Sequence, residues 1–183
     1  MIDSNWTLFL DRDGVINERI PDAYINHWDD FRFSRGALES IAAFSGRFKY
    51  IIVVTNQQGI GKGIMTEHQL KRIHQKMLDN IQEANGRIDA IYHCGDLKSK
   101  AGNCRKPDPH MALNAQKDFP DIDFNRSIMV GDSISDLQFG RNLGMKTVLI
   151  QSKKDEQHLW EKHQADWDYA YSSLAAMETA FPF

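Results

Sequence analysis

The chain has few of the features that mark membrane, secreted or nucleic-acid-binding proteins. It carries 2 cysteines among 183 residues, too few for the disulfide framework of a small secreted domain. No apolar run approaches the roughly 18 residues of a membrane span, and the first residues contain no basic segment followed by an apolar one. The net charge of -3 gives no general attraction to nucleic acid or to an anionic membrane. We therefore expect a cytoplasmic protein with no nucleic-acid partner and no membrane partner.

The composition that is present is that of a globular protein. Hydrophobic residues make up 42% of the chain and charged residues 26%, and 183 residues are enough to bury a substantial core. The chain has no internal repeat, no low-complexity tract and no insertion between predicted strands that is large enough for a second folded domain. The sequence therefore predicts one domain over residues 1–183. No apolar surface stripe stands out beyond the core pattern, so the sequence does not decide the oligomeric state, and a monomer is the prediction.

Short apolar runs alternate with helical patterns along most of the chain. The runs predict buried strands at residues 6–10, 50–55, 88–94, 127–130 and 146–150. The patterns predict helices at residues 35–44, 66–83, 107–119 and 134–143. The last part of the chain predicts a helix at 154–163, a short edge strand at 168–171 and a final helix at 172–180. Strands that alternate with helices indicate an α/β fold with a mainly parallel sheet covered on both faces.

An acidic turn follows directly on the first predicted strand. Asp11 and Asp13 are separated by one residue and followed by Gly14, whose conformational freedom allows a turn that brings both carboxylates to one pocket. Ligands of open α/β sheets bind at the carboxyl ends of the strands. Two carboxylates that close repel each other, and a divalent cation relieves the repulsion. A simple acidic turn is the alternative interpretation of this motif taken alone.

Two later segments add polar groups that are suited to an anion. Thr55 and Asn56 end the second strand, where a hydroxyl and an amide either bind an anion or form a structural turn. Arg105 and Lys106 precede Pro107, a residue suited to the first turn of a helix. The two cations fit phosphoryl oxygens, and a solvated basic loop is the alternative.

The fourth strand is followed by another pair of acids. Asp132 comes directly after the strand and a glycine, and Asp136 lies four residues further on. Asp132 is expected at the same sheet edge as Asp11, so it either shares a metal with Asp11 or caps the next helix. The irregular segment 18–33 comes immediately after the first acidic turn, and we expect it to roof the pocket.

In this order, the motifs resemble those of the haloacid dehalogenase superfamily of phosphatases. The matching segments are Asp11-Arg12-Asp13-Gly14, Thr55-Asn56, Lys106-Pro107 and Gly131-Asp132-Ser133-x-x-Asp136. The fuller forms Leu-Asp-Arg-Asp-Gly, Val-Thr-Asn-Gln and Cys-Arg-Lys-Pro resemble the branch that contains histidinol phosphatases and heptose-bisphosphate phosphatases. The resemblance implies a capless, haloacid dehalogenase-like domain, which is a Rossmann-like three-layer sandwich.

The resemblance also implies a Mg²⁺-dependent phosphoryl transfer through an aspartyl-phosphate. Asp11 would be the nucleophile, and Asp13 would act as general acid and then as general base. Thr55 and Lys106 would stabilise the transferring phosphoryl group. Mg²⁺ would be bound by the Asp11 carboxylate, the Asp13 backbone carbonyl and Asp132.

Further residues receive binding or supporting roles from the same resemblance. Arg105 would recognise the rest of the substrate, and Asp136 would support Lys106 or the waters of the metal. The remaining three residues match positions that contact substrate in the heptose branch: Arg12, Asn56 and Gln57.

The sequence departs from the branch in a loop that binds zinc in many of its members. Cys94 and Cys104 match the first and last zinc ligands, but Asp96 stands in place of a histidine and Gly102 in place of a cysteine. Structural zinc requires four ligands, mainly nitrogen or sulfur. We therefore expect this loop to fold without zinc. Ser133 also departs from the heptose phosphatases, which can carry a lysine there.

The substrate implied is a small phosphorylated metabolite, namely the sugar bisphosphate D-glycero-D-manno-heptose 1,7-bisphosphate. Histidinol phosphate is the alternative within the same class. A signalling receiver domain is an alternative from another class, but its paired acids are typically adjacent on the first strand. An inactive binding module would be expected to lose one of the reactive residues, and all are present. The sequence does not decide the anomer or which phosphate is removed.

Overall fold

A six-stranded sheet forms the centre of the protein. The structure is a computed structural model, and it describes residues 2–20, 23–152, 157–162 and 167–182. The strand order is β3-β2-β1-β4-β5-β6, and every pairing is parallel. The strands are β1 (Thr7–Leu10), β2 (Tyr50–Asn56), β3 (Ala90–Cys94), β4 (Ser127–Gly131), β5 (Lys146–Ile150) and β6 (Tyr169–Tyr171). None of the helices in the part of the chain that the structure describes has the length and hydropathy of a membrane span.

Helices cover the two faces of this sheet. They are α1 (Ala37–Ser45), α2 (Glu67–Glu83), α3 (His110–Asp118), α4 (Ile134–Asn142), α5 (Gln157–Lys162) and α6 (Leu174–Ala180). Helices α1, α2 and α6 pack with alternate strand residues such as Leu8 and Val53 into one core. Helices α3 and α4 pack on the opposite face against Phe9 and Met129. Because both faces are buried, the strands are nearly continuous apolar runs, which is the pattern that predicted them.

The predicted elements are present, with shifted ends. The third helix begins at His110 instead of residue 107, and that bound was wrong. Lys106 and Asp108 each precede a proline, a position that disfavours helical backbone, and the Asp108 amide closes a turn onto the Arg105 carbonyl at 2.8 Å. The prediction at 154–163 falls partly outside the described residues, which contain α5.

The order of the strands creates a crevice at the carboxyl end of β1. The chain passes from β1 to β2 and β3 on one side, then returns to β4, β5 and β6 on the other. Connections diverge from a strand at such a switch point and leave the space above its carboxyl end open, which is where open α/β sheets bind ligands.

Candidate active site

A cavity of about 300 Å³ lies at this switch point. The acidic turn after β1, the turn after β4 and the loop before α3 bring Asp11, Asp13, Lys106 and Asp132 into its walls. Thr55, also predicted as catalytic, is 1% exposed and is not among the residues that line the cavity. The irregular segment 18–33, which was predicted to roof the pocket, lines the other side of the cavity. The residues from that segment are Arg19, Ile20, Ala23, Tyr24 and Ile25.

Asp11 and Lys106 form a buried ion pair at the base of the cavity. Lys106 Nζ lies 2.9 Å from Asp11 Oδ1 and donates to the Val54 carbonyl at 2.6 Å. Burial raises the pKa of Asp11 to about 6, although the charge of Lys106 opposes this, and the charges of Asp136 and Asp13 add to it. Burial alone would lower the pKa of Lys106, but Asp11 and Asp136 outweigh burial and raise it. Lys106 is therefore a fixed cation beside the predicted nucleophile.

Asp136 supports Lys106 from the first turn of α4. Its Oδ1 lies 2.6 Å from Lys106 Nζ. Its Oδ2 accepts hydrogen bonds from the backbone amide of Ser133 at 3.0 Å and from the Ser133 hydroxyl at 2.6 Å. Ser133 and Asp136 thus form a capping box, so the N-cap of α4 is Ser133 and not Asp132.

Asp132 completes a cluster of acids whose chemistry fits a divalent cation. Carboxylate oxygens of Asp11, Asp132 and Asp136 lie within 4.8 Å of one another. Burial raises the pKa of Asp132 well above its usual range, and the charges of Asp11 and Asp136 raise it further. Because Asp136 is engaged by Lys106 and Ser133, Asp11 and Asp132 are the carboxylates best placed for a shared cation. Hard oxygen ligands in a strongly negative pocket are what Mg²⁺ prefers.

Asp13 has surroundings that favour its charged form. Arg12 Nη2 donates to both Asp13 oxygens at 2.9 Å, and Asn17 Nδ2 donates at 3.0 Å. Gln57 Nε2 donates to Asp13 Oδ2 at 2.8 Å. Burial would raise the pKa of Asp13, but the charge of Arg12 and these hydrogen bonds outweigh burial and lower it. The Arg12 side chain is only 1% exposed, so the structure gives Arg12 a role in holding Asp13 that the sequence analysis did not predict.

Two residues at the end of β2 hold neighbouring parts of the site in place. Gln57 Nε2, besides binding Asp13, donates to the Thr55 hydroxyl at 2.8 Å. Asn56 accepts from the Lys106 amide at 3.0 Å and donates to the Lys106 carbonyl at 3.3 Å. The amide of Asn56 therefore binds the peptide units around Lys106, a contact that joins residues 50 positions apart.

Arg105 and Arg19 add positive charge to the outer part of the cavity. Both belong to its walls. Arg105 is half-buried and donates to the Asp96 carbonyl at 3.4 Å, and burial lowers its pKa while Tyr24 and Asp96 oppose that shift. Arg19 is 43% exposed and lies 3.7 Å from Asp132. The cavity is thus acidic at its base and cationic toward its rim.

The loop that resembles a zinc loop contains a disulfide. Cys94 and Cys104 are bonded to each other, with Cα atoms 5.6 Å apart, a pairing that the sequence analysis did not predict. Asp96 lies beside this bridge and accepts a hydrogen bond from the Cys104 amide at 3.3 Å. The two sulfurs join the end of β3 to the residue that precedes Arg105.

Two polar residues near the site were not predicted by the sequence analysis. His74 lies on α2 and contacts Arg12, and Ser152 follows β5 and donates to Asp132 Oδ2 at 3.0 Å. Neither belongs to a motif, and each contacts a partner at least 20 residues away. The helical period places His74 on the buried side of α2 with Leu70 and Met77, which is the one signal that pointed to it.

Comparisons with known proteins place this chain in a family. A family model described as "HAD-hyrolase-like" matches residues 103–177. A Mycobacterium bovis protein named D-glycero-alpha-D-manno-heptose-1,7-bisphosphate 7-phosphatase is 38% identical over 138 residues, which are 75% of this chain and 73% of the relative. A Pasteurella multocida protein named for the beta form of the same sugar is 33% identical over 175 residues, or 92% of each chain.

A solved structure is similar over almost the whole chain. It is D,D-heptose 1.7-bisphosphate phosphatase from B. bronchiseptica, complexed with magnesium and phosphate, with a TM-score of 0.86 and 29% identity. The similarity covers 95% of this chain and 96% of that one. Relatedness to phosphatases over this length argues against a receiver domain and against an inactive binding module. The chain therefore belongs to the haloacid dehalogenase-like hydrolases, in the branch of the heptose-bisphosphate phosphatases, and it is a phosphatase.

Proposed function

We propose that this phosphatase removes the 7-phosphate of D-glycero-D-manno-heptose 1,7-bisphosphate through an aspartyl-phosphate. The observation that carries the proposal is the division of charge in the cavity. A buried Asp11–Lys106 pair and Asp132 lie at its base, and Arg105 and Arg19 belong to its walls. One phosphate can react at the base while the cationic rim binds the second. The relatives named for this substrate support the proposal.

In the first step, Asp11 Oδ attacks phosphorus and the bond from phosphorus to the sugar oxygen breaks. Lys106 keeps Asp11 ionised, and together with the Thr55 hydroxyl it stabilises the charge on the transferring phosphoryl oxygens. Asp13 gives a proton to the leaving oxygen. The hydrogen bonds from Arg12, Asn17 and Gln57 hold Asp13 as a carboxylate in the free protein. The negative charge of an arriving phosphate favours uptake of a proton from solvent by Asp13, and this is the proton that Asp13 then gives to the leaving oxygen.

In the second step, a water attacks the phosphorus of the aspartyl-phosphate and Asp11 is released. Asp13, now a carboxylate, takes the proton from this water, and the three donors around it stabilise that form. Mg²⁺, which we propose is bound by Asp11, the Asp13 carbonyl and Asp132, would reduce the repulsion between the carboxylate and the phosphate. The action of a zinc ion is not part of this proposal, and cytoplasmic location, a monomeric state and a single domain over residues 1–183 stay predictions.

The test is release of inorganic phosphate in the presence of Mg²⁺. Both anomers of the heptose bisphosphate and histidinol phosphate are compared, with Asp11→Asn as the control. We expect a preference for one heptose anomer in kcat/KM, and a loss of roughly 10³-fold or more in the variant because the nucleophile is absent. A preference for histidinol phosphate would overturn the substrate, and Mg²⁺-dependent turnover that survives in Asp11→Asn would overturn the mechanism.

A further inference from the structure

His74 lies under the active site, on the buried face of α2. It is 7% exposed, and its Nε2 is 3.2 Å from Arg12 Nη1. An arginine side chain has only donors, so Nε2 must be the acceptor and the ring proton must lie on Nδ1. The contact therefore requires one tautomer of a neutral imidazole.

Arg12 is oriented by two contacts at opposite ends of its guanidinium. Nη2 donates to both oxygens of Asp13 at 2.9 Å, and Nη1 donates to His74. Among the described residues, Arg12 Nε is buried without a hydrogen-bond partner. The rotation of the guanidinium is therefore fixed by Asp13 and His74 together, and Asp13 would also move if the contact with His74 were lost.

We infer that His74 is a positioning residue for the phosphatase reaction, because it holds Arg12 in the orientation that places the Asp13 carboxylate. This inference rests on the general acid and base role proposed for Asp13. His74 does not itself line the cavity, and it acts through Arg12, which does.

The surroundings of His74 keep it in the acceptor form. Burial, followed by the charges of Arg12 and His93, lowers its pKa to about 3, although Asp13 opposes the shift. The His93 ring lies 6.1 Å away, and the His93 Nε2 is 2.9 Å from a carboxylate oxygen of Glu67. The partner of His93 is thus a separate acid, and Nε2 of His74 is left for Arg12.

The test compares three variants of the full chain with the preferred substrate. His74→Phe removes the acceptor, and we expect kcat to fall about tenfold with KM changed less than about twofold. His74→Gln supplies an amide oxygen near the same place, and we expect kcat within about threefold of the original. His68→Phe is the control, because His68 is exposed on the same helix and is expected to leave both constants unchanged.

Two further measurements separate positioning from a general loss of structure. In an Arg12→Met background, His74→Phe should cost no further activity, since its route to Asp13 is already broken. In the original protein, ¹⁵N shifts should show His74 neutral with an unprotonated Nε2 at neutral pH. An equal loss in both backgrounds, a failure of His74→Gln to restore kcat, or a proton on Nε2 would each overturn the inference.

Failure of the proposed function would look different. Asp13→Asn should abolish turnover if Asp13 is the general acid and base. If that variant stays active, the proposed role of Asp13 is wrong, whereas the tautomer of His74 still reports the contact with Arg12. If Asp13→Asn is inactive and His74→Phe has full activity, the proposed function stands and the role of His74 is wrong.

Discussion

Asp11 and Asp13 are two positions apart, and their surroundings shift their pKa values in opposite directions. The pKa of Asp11 rises to about 6, mainly through burial, whereas Arg12, Asn17 and Gln57 lower that of Asp13. The difference arises because Asp13 has three donors of its own, while Asp11 shares Lys106 with Asp136. Two carboxylates with separate environments can take separate roles in one reaction.

Gly14 gives a test of the close approach between the two acidic turns. Its φ is +89°, and a Cβ there would lie 2.0 Å from Asp132 Oδ2. We expect Gly14→Ala to destabilise the protein by about 1 kcal/mol through backbone strain and by about 1–3 kcal/mol more through the clash. Because the clash displaces Asp132, the variant should also bind Mg²⁺ more weakly. Calorimetric unfolding and Mg²⁺ titration measure the two effects.

Gly63 supplies the matched control for this prediction. Its φ is +69°, and no atom lies within 4 Å of the Cβ that alanine would add. Gly63→Ala should therefore show only the strain of about 1 kcal/mol and keep its Mg²⁺ affinity. Equal Mg²⁺ affinity in the two variants would contradict the role given to the contact between Gly14 and Asp132.

His74 also predicts a pH dependence of stability. The folded protein holds this imidazole at a pKa of about 3, below its usual value of 6.5, so the unfolded chain binds the proton more tightly. The stability contributed by a neutral His74 is fully present above pH 6.5 and is lost as the pH falls toward the folded value. Relative to His74→Gln, the original protein should lose roughly 2 kcal/mol of unfolding free energy between pH 7 and pH 5. Parallel pH profiles from denaturant unfolding would contradict this.

At the scale of elements, the capping box of α4 does more than start a helix. Ser133 donates to the Asp136 oxygen that faces away from Lys106. The capping box therefore both starts α4 and orients the Asp136 carboxylate toward Lys106. We expect Ser133→Ala to cost about 1 kcal/mol of stability and to lower kcat about three- to tenfold, because Asp136 loses a charged hydrogen bond. Steady-state kinetics and thermal unfolding measure both quantities.

The control for this prediction is the same motif on another helix. Thr66 and Gln69 form a capping box at the start of α2, where Gln69 N donates to the Thr66 hydroxyl at 3.2 Å. Thr66 is not part of the cavity wall, so Thr66→Ala should cost a similar amount of stability, about 1 kcal/mol, without a change in kcat. If the two variants lose kcat equally, the effect of Ser133 does not act through Asp136.

The elements themselves were predictable because their signals are local. Buried parallel strands are apolar throughout, and the capping box of α2 is visible in the letters from Thr66 to Gln69. The contacts that complete the site are not local. His74 meets Arg12 across 62 positions, and nothing in the spacing of either residue encodes that meeting. The disulfide between Cys94 and Cys104 was missed because two cysteines gave no framework to interpret.

At the scale of the whole molecule, the order of the strands in the sheet brings acidic residues from distant parts of the chain together. The net charge is only -3, yet Asp11, Asp132 and Asp136 meet at one edge because β1 and β4 are neighbours. The order of the motifs along the sequence predicted this edge, whereas the order of the strands was not predicted. Because the two strands are adjacent, the carboxylates of Asp11 and the distant Asp132 lie close enough to form the candidate cation site.

Mg²⁺ should therefore stabilise the whole fold. In the metal-free protein the pKa of Asp11 is raised to about 6, so its contribution to stability is greatest below pH 3.8 and is lost as the pH rises through 6. A cation bound to the ionised Asp11 carboxylate would restore the stability that is lost above pH 6. At a concentration near 100 times Kd we expect about 2.7 kcal/mol, or roughly 5–10 °C in Tm, at pH 8. The gain should be smaller at pH 5.5, where protons compete for Asp11.

Asp132→Asn should abolish the gain without lowering the metal-free Tm, because it removes a like charge along with a ligand. An equal rise in Tm for Asp132→Asn, or at both pH values, would show that the cation binds elsewhere.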